Sequence, residues 1–96
     1  MAQIEKNNGV WKLHGDMSIS RIIELKADVF PVPKGGQLNI DFSAVTHVDT
    51  ATVSFMFELL RAAGTSGCDL SFSKLPKNLL SLLSLYGVDG LIVDKT

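Results

Sequence analysis

The chain has 96 residues, of which 46% are hydrophobic and 20% are charged, and its formal net charge at pH 7 is −1. This length and balance predict one globular domain spanning residues 1–96 and are typical of a globular rather than a disordered chain. A near-neutral charge gives no electropositive footprint, so it argues against nucleic acid as a partner and against a polybasic, membrane-surface segment.

Two short strands joined by a tight turn are predicted at the start of the chain, over residues 3–6 and 10–14. The turn is Asn7-Asn8-Gly9, and Asn-Gly is a strong hairpin signal because both central residues of such a turn need positive φ. In the second segment Trp11 and Leu13 alternate with polar residues. This alternation is typical of a strand with one buried face.

The first predicted helix extends from about Ser18, in the N-cap position, to Val29. Pro31 ends it, because proline cannot continue the hydrogen-bond ladder of a helix. A short buried strand is predicted next, over residues 38–42. The apolar stripe of the first predicted helix consists of Ile19, Ile22, Ile23 and Phe30.

A second helix is predicted from Asp49-Thr50-Ala51 to about Ala63, and a third begins at about Pro76 and ends at Gly87. Strands are predicted before and after the third helix, over residues 69–73 and 91–93. A hairpin followed by alternating helices and strands with short connections implies crossover units. The sequence therefore predicts a small α/β domain with a mixed, mainly parallel sheet and about three helices.

The sequence lacks a recognisable catalytic or metal-binding constellation. His14 and His47 are far apart and lack accompanying cysteines or paired acids, and the single cysteine, Cys68, excludes both an internal disulfide and a cysteine metal cage. Neither a Gly-x-Ser-x-Gly elbow nor a glycine-rich phosphate loop occurs. We therefore expect a protein that is not an enzyme and that uses no cofactor.

Membrane insertion is also not expected. Residues 1–6 lack the apolar run of a signal peptide, and the sequence contains no apolar stretch of about eighteen residues. These features predict a soluble, cytoplasmic protein.

Residues 41–53 carry the most specific signal in the chain. A buried strand that reaches Asp41 leads to a helix whose first turn holds Asp49, Thr50 and Thr52. The unpaired N–H groups and the positive dipole end of a helix start favour an oxygen-bearing side chain or a phosphate. From the residues alone, this segment is either an ordinary cap formed by Asp49 or Thr50, or a switch site.

The same segment resembles the signature of STAS domains, the family of anti-sigma factor antagonists and of the cytoplasmic tails of sulfate transporters. In that family a strand ending in Asp-Phe-Ser or Asp-Leu-Ser leads to Asp-Ser-Ser-Gly or Asp-Thr-Gly-Gly at the start of a long helix. Residues 9–16 resemble the family's second strand, and residues 85–88 resemble the end of its last helix. The resemblance covers nearly the whole chain and implies a single STAS domain over residues 1–96.

In its length and in its Leu85-Tyr86 pair, the chain is similar to the small, stand-alone STAS subunits of bacterial phospholipid-transport ABC transporters. This resemblance implies a non-catalytic subunit that binds and regulates the ATPase of a transporter maintaining outer-membrane lipid asymmetry. Such a subunit is cytoplasmic and lies at the inner membrane only through its transporter partner. The alternative is an anti-sigma factor antagonist that binds an anti-sigma factor kinase and is phosphorylated on Thr50.

Two departures from the family pattern bear on this alternative. Antagonists that a kinase switches carry the phosphoacceptor at the second position after the Asp, which here is Ala51 and has no hydroxyl. Only Thr50, at the first position, keeps a hydroxyl, as it does in the lipid-transport subunits. Thr52 replaces the usual glycine, so the helix start is less permissive. Both departures weaken the kinase-switch interpretation and leave the transporter interpretation intact.

The second predicted helix has two apolar stripes when its residues are placed at about 100° each. The stripe expected to meet the sheet is Val53, Met56, Phe57 and Leu60. The other stripe is Ala51, Phe55, Leu59 and Ala62. Either the first helix covers this other stripe, or its large side chains are exposed beside Thr50 as a docking patch. Because the family resemblance favours docking, the predicted partner-binding residues are Asp49, Thr50, Ala51, Phe55 and Leu59.

Overall fold

In a computed structural model that describes residues 3–88, a hairpin is followed by alternating helices and strands. In chain order these elements are β1 (Gln3–Asn7), β2 (Val10–Asp16), α1 (Ile19–Val29), β3 (Gln37–His47), α2 (Thr50–Ser66), β4 (Asp69–Ser73) and α3 (Lys77–Leu85). The strand predicted over residues 91–93 lies outside the described residues.

The strands form one sheet in the order β1-β2-β3-β4. β1 and β2 are antiparallel and are joined at Asn8 and Gly9. Gly9 has a positive φ of 72° but Asn8 does not, so the predicted hairpin is present and the expectation of positive φ at both central residues is wrong. β2 pairs in parallel with β3, and β3 pairs in parallel with β4. The predicted α/β fold, with a mixed, mainly parallel sheet and three helices among the described residues, is confirmed.

β3 is longer than the sequence predicts, because it continues from the expected end at Phe42 to His47. The extension pairs with the end of β2, where Gly15 lies opposite Val45 and Asp16 lies opposite His47. Register shifts interrupt this pairing, and such irregularities bend a strand locally. The two strands therefore end side by side, immediately before the helices that follow each of them.

The buried face of α1 differs from the predicted stripe. Ile22, Leu25 and Val29 are each at most 2% exposed, whereas Ile19 and Ile23 are 61% and 67% exposed. Residues four apart share one face of a helix, so Ile19 and Ile23 form an exposed apolar row. The predicted apolar stripe is therefore not the buried face: it contains Ile22, but Ile19 and Ile23 lie outside that face.

The proposed docking patch on α2 is also wrong. Phe55 is 1% exposed and Leu59 is fully buried, so neither side chain is available to a partner. Phe30, which follows α1 directly, packs against Phe55 edge to face, with the ring centroids 6.0 Å apart. The alternative, in which the first helix covers this stripe, is therefore the one observed.

The physical reason is that α2 lies between two other helices. α1 contacts it on one side and α3 on the other, so a broad arc of its surface is buried. Phe57 and Leu60, which the sequence places at the centre of the buried face, are only partly buried. The two apolar stripes are the flanks of one buried face, and the exposed strip of the helix consists of polar and small residues such as Thr50, Ser54 and Arg61.

The polar face of the sheet carries a network of short side chains. Asn39 donates from Nδ2 to Ser71 Oγ at 3.0 Å and accepts at Oδ1 from the Ser73 hydroxyl at 2.7 Å. Asp41 lies beside this network on the same face of β3. Burial raises the pKa of the Asp41 carboxyl, but hydrogen bonds from Ser43 and the charge of Lys74 outweigh it and hold the pKa below its ordinary value.

Replacing Leu59 by Ala should destabilise the fold by about 2–5 kcal/mol, because it leaves a cavity at a fully buried site. Phe55→Ala should cost about 3–5 kcal/mol for the same reason. Ser54→Ala, at an exposed position of the same helix, is the control and should change the free energy of unfolding by less than about 0.5 kcal/mol. Denaturant unfolding measures all three variants, and an unchanged midpoint for Leu59→Ala would contradict the buried placement.

The lowered pKa of Asp41 predicts a defined dependence of stability on pH. Because the folded-state pKa lies below the ordinary value of 3.8, ionised Asp41 stabilises the fold above that value. This contribution falls as the pH drops through the folded-state pKa. Asp41→Asn should therefore be less stable than wild type near neutral pH, and the difference should shrink below about pH 4. Urea unfolding at several pH values tests this, with Asp28→Asn, at an exposed position of α1, as the control.

Candidate functional site

α1 and α2 begin at the same edge of the sheet. Each follows directly from one of two neighbouring parallel strands, and the carboxyl ends of parallel strands meet at one edge. The loops before the helices are joined by a backbone hydrogen bond from Met17 N–H to the His47 carbonyl, at 2.9 Å. The fold thus brings residues near position 18 next to residues near position 49.

One carboxylate holds both helix starts. Asp49 Oδ1 accepts a hydrogen bond from the N–H of Ala51 at 2.9 Å, and Oδ2 accepts one from the N–H of Ile19 at 3.1 Å. Asp49 is therefore the N-cap of α2, as predicted, and it also satisfies an unpaired N–H at the start of α1. No local sequence pattern signals the second bond, which joins residues 30 positions apart.

The N–H groups at the start of α1 are bound by side chains other than that of its N-cap residue. Ser18 occupies the predicted N-cap position, but its side chain makes no capping hydrogen bond. Instead Asp16 Oδ1 accepts from the N–H of Ser18 at 2.8 Å. Hydrogen bonds with Ser18 hold the pKa of Asp16 below its ordinary value. Two aspartates outside α1, Asp16 and Asp49, thus fix the position where it begins.

Thr52 links the same two loops from inside the fold. It is fully buried, its hydroxyl donates to the Met17 carbonyl at 2.7 Å, and the same oxygen accepts from the N–H of Asp49 at 3.1 Å. The sequence identifies Thr52 only as a replacement for the family's glycine. Thr52 lies three residues after Asp49, which is the spacing of a capping box. This spacing could have predicted its hydrogen bond to the N–H of Asp49.

Thr50 is the exposed hydroxyl at the start of α2. Its Oγ1 lies 2.9 Å from the phenol oxygen of Tyr86, which is 49% exposed and forms the C-cap of α3. Ala51 is half-buried beside it. The start of α2 and the end of α3 therefore share one surface, although the sequence offers the Leu85-Tyr86 pair only as a family resemblance.

Large exposed apolar side chains lie on the two helices whose ends meet the start of α2. Ile19 lies at the α1 start that Asp49 holds, Ile23 lies one turn further along α1, and Leu85 is 76% exposed next to Tyr86. We call Thr50, Tyr86, Ile19, Ile23 and Leu85 the Thr50 surface. An apolar groove of about 380 Å³ adjoins it, lined by Val48, Asn78, Ser81, Leu82 and Leu85. Several large exposed apolar side chains on one surface are typical of protein interaction sites.

The predicted site residues therefore divide into two groups. Asp49, Thr50 and Ala51 lie together at the start of α2, whereas Phe55 and Leu59 belong to the core. Within residues 3–88, no cluster of three His, Cys, Asp or Glu side chains could hold a metal ion. None of the three helices there is both long and apolar enough to cross a bilayer.

The hydroxyl of Thr52 should matter for stability and that of Thr50 should not. Thr52→Val removes a buried hydroxyl and leaves the Met17 carbonyl and the Asp49 N–H unsatisfied, which costs about 1–3 kcal/mol. The same substitution at Thr50 removes an exposed hydroxyl and should cost less than about 0.5 kcal/mol. Urea unfolding compares the two variants; equal stability would show that the buried hydroxyl does not hold the loops together.

Comparisons with known proteins agree with this architecture. The family profile described as "Mlab, STAS domain" matches residues 1–94, which is almost the whole chain. No curated protein matches the sequence. STAS domains are protein-interaction modules and are generally non-catalytic. On this match, and with a small mixed sheet flanked by three helices in its described residues, the chain belongs to the STAS domain family, with a sequence of the MlaB type.

Proposed function

We propose that this chain is a non-catalytic STAS subunit that binds and regulates the cytoplasmic ATPase of an ABC phospholipid transporter, and so helps to maintain outer-membrane lipid asymmetry. The observation that carries the proposal is the match to the MlaB-type STAS profile over residues 1–94. In this role the chain is cytoplasmic and is held at the inner membrane by its partner. It needs no cofactor.

The Thr50 surface is the proposed contact with the ATPase. Thr50 supplies a hydroxyl at its centre, and the exposed Ile19, Ile23 and Leu85 supply apolar area around it. Ala51 is small, which lets a partner approach the helix start closely. Asp49 contributes indirectly, because both of its carboxylate oxygens already accept backbone hydrogen bonds that fix the two helix starts.

A fixed surface favours regulation by selective binding. The hydrogen bonds of Asp49 and Thr52 tie the loops before α1 and α2 to each other, so little ordering is needed when a partner binds. A rigid subunit that fits one conformation of the ATPase better than another shifts the ATPase toward that conformation. Regulation of this kind requires no chemistry in the chain itself.

The second candidate function is that of an anti-sigma factor antagonist phosphorylated on Thr50. It is favoured by one observation, the exposed Thr50 hydroxyl at the first position of a helix, where a phosphate is electrostatically stabilised. Against it, the position that carries the phosphoacceptor in kinase-switched members of the family is Ala51, which has no hydroxyl and is half-buried. The transporter role is therefore the leading proposal.

Purification of the tagged chain from its native cells, followed by mass spectrometry, separates the two functions. Recovery of an ABC ATPase together with its permease supports the transporter role. Recovery of a serine kinase, with phosphate on Thr50, supports the alternative and contradicts the leading proposal. The purified ATPase should then bind the purified chain directly, which excludes capture through a third protein.

Thr50→Glu should abolish this binding and leave the fold intact. The first turn of α2 contains no acidic residue, and a negative charge there contributes about 0.3–1 kcal/mol of stabilisation. At the interface, the carboxylate must lose its water, and an unpaired buried charge costs several kcal/mol. Circular dichroism and thermal unfolding check the fold, and a pull-down with the ATPase checks binding.

Thr50→Ser is the matched control for this variant, because it keeps the hydroxyl and should bind nearly as well as wild type. If Thr50→Glu retained the ATPase as well as wild type does, Thr50 would lie outside the interface. The residue would then be only part of the helix start.

A further inference from the structure

We propose that Tyr86 is a positioning residue for Thr50: its phenol donates a hydrogen bond to Thr50 Oγ1, so that the threonine's own proton is directed at an acceptor oxygen of the partner. This inference rests on the proposed function. It adds a role for Tyr86, at the end of α3, and it specifies that the partner group recognised by Thr50 is a hydrogen-bond acceptor. The observation behind it is the 2.9 Å distance between the two hydroxyl oxygens, which belong to residues 36 positions apart.

The backbone beneath Tyr86 is fixed independently of Thr50. Its N–H donates to the Leu82 carbonyl at 3.1 Å, and the N–H of Val88 donates to the Leu83 carbonyl at 2.9 Å. Leu83 is fully buried and anchors the last turn of α3. Gly87, with φ of 69°, ends the helix directly after Tyr86. The ring therefore extends toward α2 from a rigid base.

The direction of the hydrogen bond follows from the acidity of the two hydroxyls. A phenol is a far stronger acid than an aliphatic hydroxyl, and the stronger acid is the better hydrogen-bond donor. The phenol is therefore the better donor, and Thr50 Oγ1 is the acceptor. This arrangement leaves the Thr50 proton available, and an accepted hydrogen bond polarises that O–H and strengthens it as a donor.

The place of Thr50 in α2 decides where its proton is directed. A threonine inside a helix can donate to the carbonyl one turn earlier, as Thr65 does to Arg61 at 3.2 Å. Thr50 is the first residue of α2, so no helical turn precedes it. Its proton is instead available at the exposed surface. The partner group that fits is a carbonyl, carboxamide or carboxylate oxygen with apolar neighbours.

A double-mutant cycle on binding to the purified ATPase tests this role. Tyr86→Phe removes only the phenol oxygen, and Thr50→Val replaces the threonine hydroxyl with a methyl group of similar size. Each single variant should bind about three- to tenfold more weakly. Because Tyr86 acts through Thr50, the variant with both changes should bind no more weakly than Thr50→Val alone. Tyr86→Phe should still weaken binding in a Thr50→Ser background, and no variant should change the melting temperature appreciably.

A second measurement does not depend on the partner. Tyr86 is the only tyrosine of the chain, so labelling tyrosine with ¹³C at Cζ gives a single resonance that reports on the phenol. Thr50→Val should shift this resonance in the free protein, and Thr50→Ser should shift it less. An unchanged resonance in Thr50→Val would overturn the inference, because the hydroxyl pair would then not exist in solution.

The outcomes of the cycle separate this inference from the proposed function. Weak binding by Thr50→Val with normal binding by Tyr86→Phe overturns the role of Tyr86 and leaves the Thr50 surface in place. Additive losses also overturn it, because Tyr86 would then contact the partner by itself. Normal binding by both single variants would show that Thr50 lies outside the interface, and this result also overturns the role of Tyr86. An ATPase that does not bind the wild-type chain overturns the proposed function, and the role of Tyr86 with it.

Discussion

The carboxylate of Asp49 holds the starts of α1 and α2 together. One oxygen caps α2 and the other accepts the first N–H of α1, while Thr52 connects the same loops through a buried hydroxyl. A carboxylate is suited to this task, because both of its oxygens are acceptors and because negative charge is stabilised at the N-terminus of a helix. An asparagine in its place could offer only one acceptor oxygen, so one helix start would lose its partner.

This arrangement places buried structural residues and an exposed hydroxyl at adjacent positions of the chain. Asp49 and Thr52 face inward and are occupied by backbone partners, whereas Thr50 lies between them in the chain and faces outward. A helix start must satisfy its N–H groups before it can present a side chain reproducibly. The inward pair fixes the backbone, and the direction of the Thr50 side chain follows from it.

Features set by neighbouring residues could be predicted from the sequence, and features set by tertiary neighbours could not. The turn at Gly9 and the cap at Asp49 are local signals, and both occur where the sequence predicts them. A helical wheel shows that Phe55 and Leu59 share a face, but it cannot show that α1 and the ring of Phe30 cover that face. For the same reason the spacing of apolar residues places Ile23 on one stripe with Ile22, although among the described residues no other element buries Ile23.

The Thr50 surface draws on three separate parts of the chain: the start of α1, the start of α2 and the end of α3. Parallel pairing of β2 with β3 brings the first two parts together, and the packing of α3 on α2 adds the third. The surface is therefore a discontinuous epitope that no short peptide from this chain could reproduce. A partner that recognised this surface would therefore distinguish the folded chain from an unfolded or truncated one, and recognition would itself act as a check on folding.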